Sequence, residues 1–185
     1  MRDLAGIGGG AFGAPWSTLL KGLSVFSGGV IVLVTLLVGL TFPREMLGAN
    51  LMTASLLLPI VVLIGCALYT VRGYELQGDR LEIRRLLWST AIPLAGLERA
   101  WHDPHAMDRS LRVFGNGGAF SITGLFSNRA LGRYRAWATD PKRAVVLVLP
   151  GRRFVVTPDR PEDFLRQLQL LHPNVQVGTA GAGGG

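Results

Sequence analysis

Two long apolar runs precede any regular alternation in this chain. Leu23–Phe42 and Met46–Val71 extend for 20 and 26 residues without a charge, and only Pro43, Arg44 and Glu45 separate them. As helices, about 20 apolar residues span the ~30 Å hydrocarbon core of a bilayer. The pattern therefore predicts two transmembrane helices joined by a tight turn, a hairpin over residues 23–71. The first run exceeds the roughly 7–15 apolar residues of a signal peptide, and no small-x-small site follows it, so it is read as a retained helix. Ser24/Gly28 and Thr35/Gly39 have the small-xxx-small spacing that admits a close neighbouring helix, expected to be the second span, with another copy of the protein as the alternative. Pro59 predicts a kink. Neither run carries an ionisable residue, so the reading is an anchor rather than a conduction path.

From Tyr74 the period shortens to that of strands. Tyr74-Glu75-Leu76 leads into the turn Gln77-Gly78-Asp79, after which Leu81, Ile83 and Leu87 fall on alternate positions. Further extended pieces are Ala91–Trp101, Ser110–Phe114, Ala119–Ile122, Tyr134–Ala138, Ala144–Leu149 and Arg153–Thr157, punctuated by Asn116-Gly117, Gly124, Gly132, Asp140-Pro141 and Pro150-Gly151. About seven short strands at this spacing indicate a barrel or sandwich. One helix follows: Pro161 suits its first turn, Glu162 and Asp163 complement its dipole, and Phe164, Leu165, Leu168 and Leu171 form its apolar stripe. The expected organisation is a flexible tail at 1–22 with an interfacial piece near Trp16–Leu20, the hairpin, a soluble domain at 72–173, and a disordered glycine-rich tail at 174–185.

Charge sharpens this picture. The net charge is +7, and residues 72–173 hold 16 Lys/Arg against 10 Asp/Glu. A basic domain beside a bilayer fits contact with anionic headgroups. No recognition helix or aromatic RNA platform accompanies the charge, so nucleic acid is not an expected partner. Arg72, Arg80, Arg84 and Arg85 crowd the exit of the second run, while Arg2 and Lys21 flank the first. By the positive-inside rule both termini face the cytoplasm, in the cell (plasma or inner) membrane. The only cysteine, Cys66, lies in the second run, which leaves no internal disulfide.

Several constellations lack the context their chemistry needs. Gly6-Ile7-Gly8-Gly9-Gly10 has no βαβ unit around it. His102, Asp103, His105 and Asp108 are metal-ligand types, but they sit around Pro104 in a turn-like stretch without a third histidine. Ser110, Ser121 and Ser127 have no nucleophile elbow. No catalytic, cofactor or metal residue is expected. The candidate contact residues are two basic groups: Arg80, Arg84 and Arg85 after the hairpin exit, and Arg129, Arg133 and Arg135 beside Trp137. On a strand, Arg133, Arg135 and Trp137 share one face, and Tyr134, Ala136 and Ala138 the other.

Residues 69–171 resemble the bacterial pleckstrin-homology-like (PH-like) domains that adjoin transmembrane hairpins. The matching segments are Tyr74–Leu81, Ile92-Pro93-Leu94, Phe114–Gly118, Gly124-Leu125-Phe126, Leu131–Tyr134 and, most distinctive, Thr157-Pro158-Asp159-Arg160-Pro161-Glu162. The resemblance implies an α+β membrane protein: two transmembrane helices, then a PH-like seven-stranded β-barrel or sandwich capped by one C-terminal helix. An OB-like barrel is the alternative, and the final helix argues against it. The implied function is a membrane-anchored interaction module that binds a partner protein, itself or anionic lipid without catalysis. An accessory subunit of a transporter or envelope-stress complex is the second reading, and an enzyme the third. Phosphoinositide-binding PH domains place Lys/Arg-x-Arg at the first hairpin, and the spacing of Arg80, Arg84 and Arg85 departs from that pattern.

Overall fold

The computed structural model describes residues 10–41, 44–117 and 121–179. After strand β1 (Ala11–Gly13), the chain runs out along helix α1 (Thr18–Thr41) and returns along α2 (Arg44–Leu68). Ser17 starts α1: its carbonyl accepts from the Lys21 N–H and its hydroxyl from the Leu20 N–H at 3.1 Å, satisfying donors the helix leaves open. The two helices lie against each other. The residues expected to form the tight turn fall partly outside the described set, and α2 already begins at Arg44.

Within α1, Leu20–Thr41 is long and apolar enough to cross a membrane, with a mean hydropathy of 2.4, and only 6% of it is buried. A soluble core helix would be covered. The Ser24 and Thr35 hydroxyls donate to the carbonyls one turn back, at Leu20 and Ile31, so each is satisfied inside its own helix. A Cβ added at Gly28 or Gly39 would meet nothing within 4 Å among the described residues. Among the described residues one helix meets the length and hydropathy of a span. In α2 the apolar piece among the described residues is Leu57–Leu68.

Two sheets follow. The first has the order β1-β2-β3-β4, where β2 is Gly73–Gln77, β3 Arg80–Arg84 and β4 Ser89–Pro93. The second has the order β11-β5-β9-β10-β8-β7-β6. Its strands are β5 (Arg99–His102), β6 (Leu111–Gly117), β7 (Ile122–Asn128), β8 (Gly132–Ala138), β9 (Val145–Leu149), β10 (Arg152–Val156) and β11 (Gln176–Thr179). Strand β9 is buried at all five positions: Val145, Leu147 and Leu149 join one apolar cluster, Val146 and Val148 the other. Its unbroken run Val-Val-Leu-Val-Leu is what a strand covered on both faces requires. The larger cluster lies between the sheets and takes Phe164, Leu165 and Leu168 from helix α3 (Pro161–Leu171).

Four expectations need correction. The described residues form eleven strands in two sheets, because Ala91–Trp101 breaks into β4 and β5 and because both presumed tails contribute a strand. In the first tail, β1 pairs antiparallel with β2, and Phe12 is buried against Phe164 at a ring distance of 5.2 Å. In the second, β11 pairs parallel with β5 and Val175 enters the core; residues 180–185 lie outside the described residues. A free sheet edge can order a short polar segment through backbone hydrogen bonds that composition does not reveal. Leu87 lies beyond β3 and is 72% exposed, unlike Leu81 and Ile83. The expected strand Ala119–Ile122 falls partly outside the described residues, and β7 begins at Ile122.

A buried polar knot joins the sheets. The Tyr74 hydroxyl donates to the Trp137 carbonyl at 2.5 Å and accepts from the Thr157 N–H at 3.2 Å, while Thr157 Oγ1 accepts from the Thr139 N–H at 2.9 Å. Burial pushes the Tyr74 phenol up to about 12 from its ordinary value of 10.0, partly opposed by Thr157. Between pH 10 and about 12 the unfolded chain releases a proton that the folded chain keeps. Stability is therefore unaffected below that window and falls by roughly 3 kcal/mol across it. Tyr74→Phe leaves the Trp137 carbonyl and the Thr157 N–H without this partner and is expected to cost about 1–3 kcal/mol at neutral pH. The same variant should flatten the alkaline loss in pH-dependent thermal melts; an unchanged slope would assign that loss to another group.

Candidate functional site

A cleft of about 1050 Å³ lies where α2 meets the second sheet. Val62, Gly65 and Cys66 from the last turns of α2, with Tyr69 just beyond, form one wall. Phe114 and Gly115 of β6, Thr123, Gly124 and Leu125 of β7, and Trp137 of β8 form the other. The Ser121 hydroxyl ties the two walls: it donates to the Tyr69 carbonyl at 3.5 Å and lies 3.0 Å from the Thr123 hydroxyl.

Three guanidinium groups, Arg85, Arg112 and Arg135, line this apolar cleft. Five arginines elsewhere in this domain have carboxylate partners: Arg80 with Asp79, Arg84 with Glu75, Arg143 with Asp140, Arg160 with Asp159 and Asp163, and Arg166 with Asp163. Among the described residues, none of the three cleft arginines has an acidic partner. Arg85 lies 5.3 Å from the Tyr69 ring centre and 5.7 Å from that of Trp88, and Arg135 lies 5.8 Å from Trp137. These are cation–π distances. Burial pulls the Arg85 guanidinium below its ordinary value, with Tyr69 opposing. Its Nε is buried without a hydrogen-bond partner among the described residues.

The sequence-predicted contact residues therefore divide. Arg85, Arg135 and Trp137 come together from both predicted basic groups. Arg80 and Arg84 stand on β3 in exposed ion pairs. Arg129 lines a smaller cleft with His105 and Asp108, and Arg133 is exposed on β8. As expected, Arg133, Arg135 and Trp137 alternate with Tyr134 and Ala136, which enter the second cluster. Arg112 went unnoticed in the sequence; its strand is irregular between Arg112 and Phe114, so simple alternation could not aim it.

The histidine cluster is divided as well. His102 Nδ1 lies 2.9 Å from Glu162 Oε1 and its Nε2 lies 3.2 Å from the Lys142 carbonyl, whereas His105 pairs with Asp108 at 2.9 Å. Among the described residues no three potential metal ligands gather. The Ser110 hydroxyl is occupied by Tyr134 at 2.7 Å and Asn128 at 3.0 Å.

The segment Thr157–Glu162 works as a structural clasp. Thr157 centres the polar knot. Asp159 exchanges two bonds with Gly13, at 3.1 and 2.9 Å, while Arg160 lies 5.7 Å from the Phe12 ring. Pro161 starts α3 and Glu162 meets His102. The family model described as Bacterial PH domain matches residues 72–171, more than half of the chain. The chain belongs to that family. No curated protein and no solved structure matches it. PH domains are in general interaction modules rather than catalysts, and the OB-like alternative gives way to this assignment. In this bacterial PH domain the clasp also gathers β1, which lies outside the family match.

Proposed function

We propose that this chain is a membrane-anchored, non-catalytic binding module. Its α1–α2 hairpin crosses the bilayer twice, and its bacterial PH domain sits at the cytoplasmic surface. The observation that carries the reading is the β1–β2 pairing: the strands before and after the hairpin are neighbours in one sheet, with Ala11, Phe12 and Gly13 opposite Glu75, Tyr74 and Gly73. Both feet of the hairpin therefore start from the same side, as an even number of crossings requires. Removal of α1 as a leader would also take a core strand with it.

The loop after β3 supports the same pose. Leu86, Leu87 and Trp88 are exposed beside Tyr69, whose ring meets Trp88 at 5.1 Å. Aromatic side chains at the end of an apolar helix fit the headgroup boundary. Expressed full-length, the protein should stay with the membrane pellet after high salt and alkaline carbonate and be released by detergent. From inverted vesicles, protease should remove the domain while sparing the hairpin. Release by carbonate alone, or a domain protected in inverted vesicles and cut in right-side-out ones, would defeat the reading.

A further inference from the structure

We propose that the cleft between α2 and strands β6–β8 holds one anionic phospholipid taken from the surrounding bilayer. Its phosphate lies among Arg85, Arg112 and Arg135, and its chains run along the α2 wall at Val62 and Cys66. This inference rests on the membrane-anchored reading above and adds to it the ligand's class and seat.

Three observations converge. First, the cleft is amphipathic in the sense a lipid needs, with cations against the sheet and an apolar wall supplied by the helix that leads into the membrane. Second, its cations are uncommitted. The arginines of the β2–β3 hairpin are neutralised by Asp79 and Glu75, whereas the cleft arginines have no carboxylate among the described residues. Third, Arg85 Nε is a buried donor with no partner among the described residues. A buried donor is ordinarily satisfied, and leaving one open is costly. A phosphate in the cleft can take a forked pair of bonds from this guanidinium once Arg85 turns its Nε outward. About 1050 Å³ also exceeds what a bare phosphate fills. An acidic protein segment would satisfy the charge but has no use for the membrane-proximal apolar wall.

The test uses the full chain in nanodiscs of phosphatidylglycerol and phosphatidylcholine in equal parts, transferred to mild neutral detergent, with retained lipid counted per chain by mass spectrometry. About one phosphatidylglycerol should remain per wild-type chain, with phosphatidylcholine at least tenfold lower. The double variant R112Q/R135Q, altered at exposed strand positions, should lose at least fivefold of the retained lipid while keeping its thermal melt and its carbonate resistance. The control R84Q/R133Q, which removes the same charge outside the cleft, should retain lipid like wild type. Equal retention of the two lipids by wild type overturns the proposal without recourse to any variant. So does equal loss in the control pair, or displacement by millimolar glycerol phosphate, which would identify a site for soluble phosphate esters. A chain that resists carbonate yet retains no anionic lipid sinks this inference alone; release by carbonate sinks the anchored reading beneath it.

Discussion

Phe12→Ala is expected to cost the folded domain about 3–5 kcal/mol, the usual range for truncating a buried phenylalanine. The residue stands in a glycine-rich stretch that reads as a tail, yet only 5% of it is exposed. Its ring meets Phe164 edge-on, Arg160 stacks on it, and the flanking Gly13 is held by Asp159. The melting temperature of the full chain in detergent should fall by roughly 10 °C, given about 2–4 °C per kcal/mol for a chain of this size. A tail residue would shift it by nothing measurable. Asp159→Ala, which removes the side-chain acceptor for the Gly13 N–H and an exposed ion pair with Arg160, should give a smaller loss of about 1 kcal/mol in the same melt.

Gly124→Ala should be as damaging, for a reason of backbone geometry. Gly115 and Gly124 face each other across β6 and β7, with φ of +114° and +146°. A Cβ on Gly124 would overlap the Phe114 carbonyl oxygen, and one on Gly115 the Thr123 carbonyl oxygen. Strained φ and steric overlap together cost on the order of 3 kcal/mol. Because both glycines line the arginine cleft, the damage should be local. Hydrogen exchange over residues 111–128 should accelerate strongly while β9 and β10 remain protected. Gly28→Ala, at a half-buried helical site with open space around it, should leave exchange in the domain unchanged. Equal protection in Gly124→Ala and wild type would mean that the hairpin tolerates a side chain at the crossing.

What the sequence disclosed followed from periodicity and burial. The β9 run, the Leu81/Ile83 alternation, the Gly78 turn and the Phe164–Leu168 stripe each state their surroundings in local residues. The strands it concealed are those whose order comes from a partner. Ala11–Gly13 offers one large side chain, and its register comes from the free edge of β2. Gln176–Thr179 borrows order from β5, with Val177 packed against the core. The cleft was half legible: Arg85, Arg135 and Trp137 stood out as cations beside aromatics. Their convergence, and the addition of Arg112, depended on an irregular strand and on where α2 ends relative to the second sheet. Neither is written in spacing.

The clamp of β1 on β2 has a mechanical corollary. A domain on a single leash tumbles and samples every orientation toward its support. Here two stalks rise from adjacent rows of one sheet, so swivelling about either would shear hydrogen bonds at the base. On the anchored reading proposed above, the body would be held at fixed height and heading, and its encounters would become a planar search in which visitors slide sideways toward an oriented mouth.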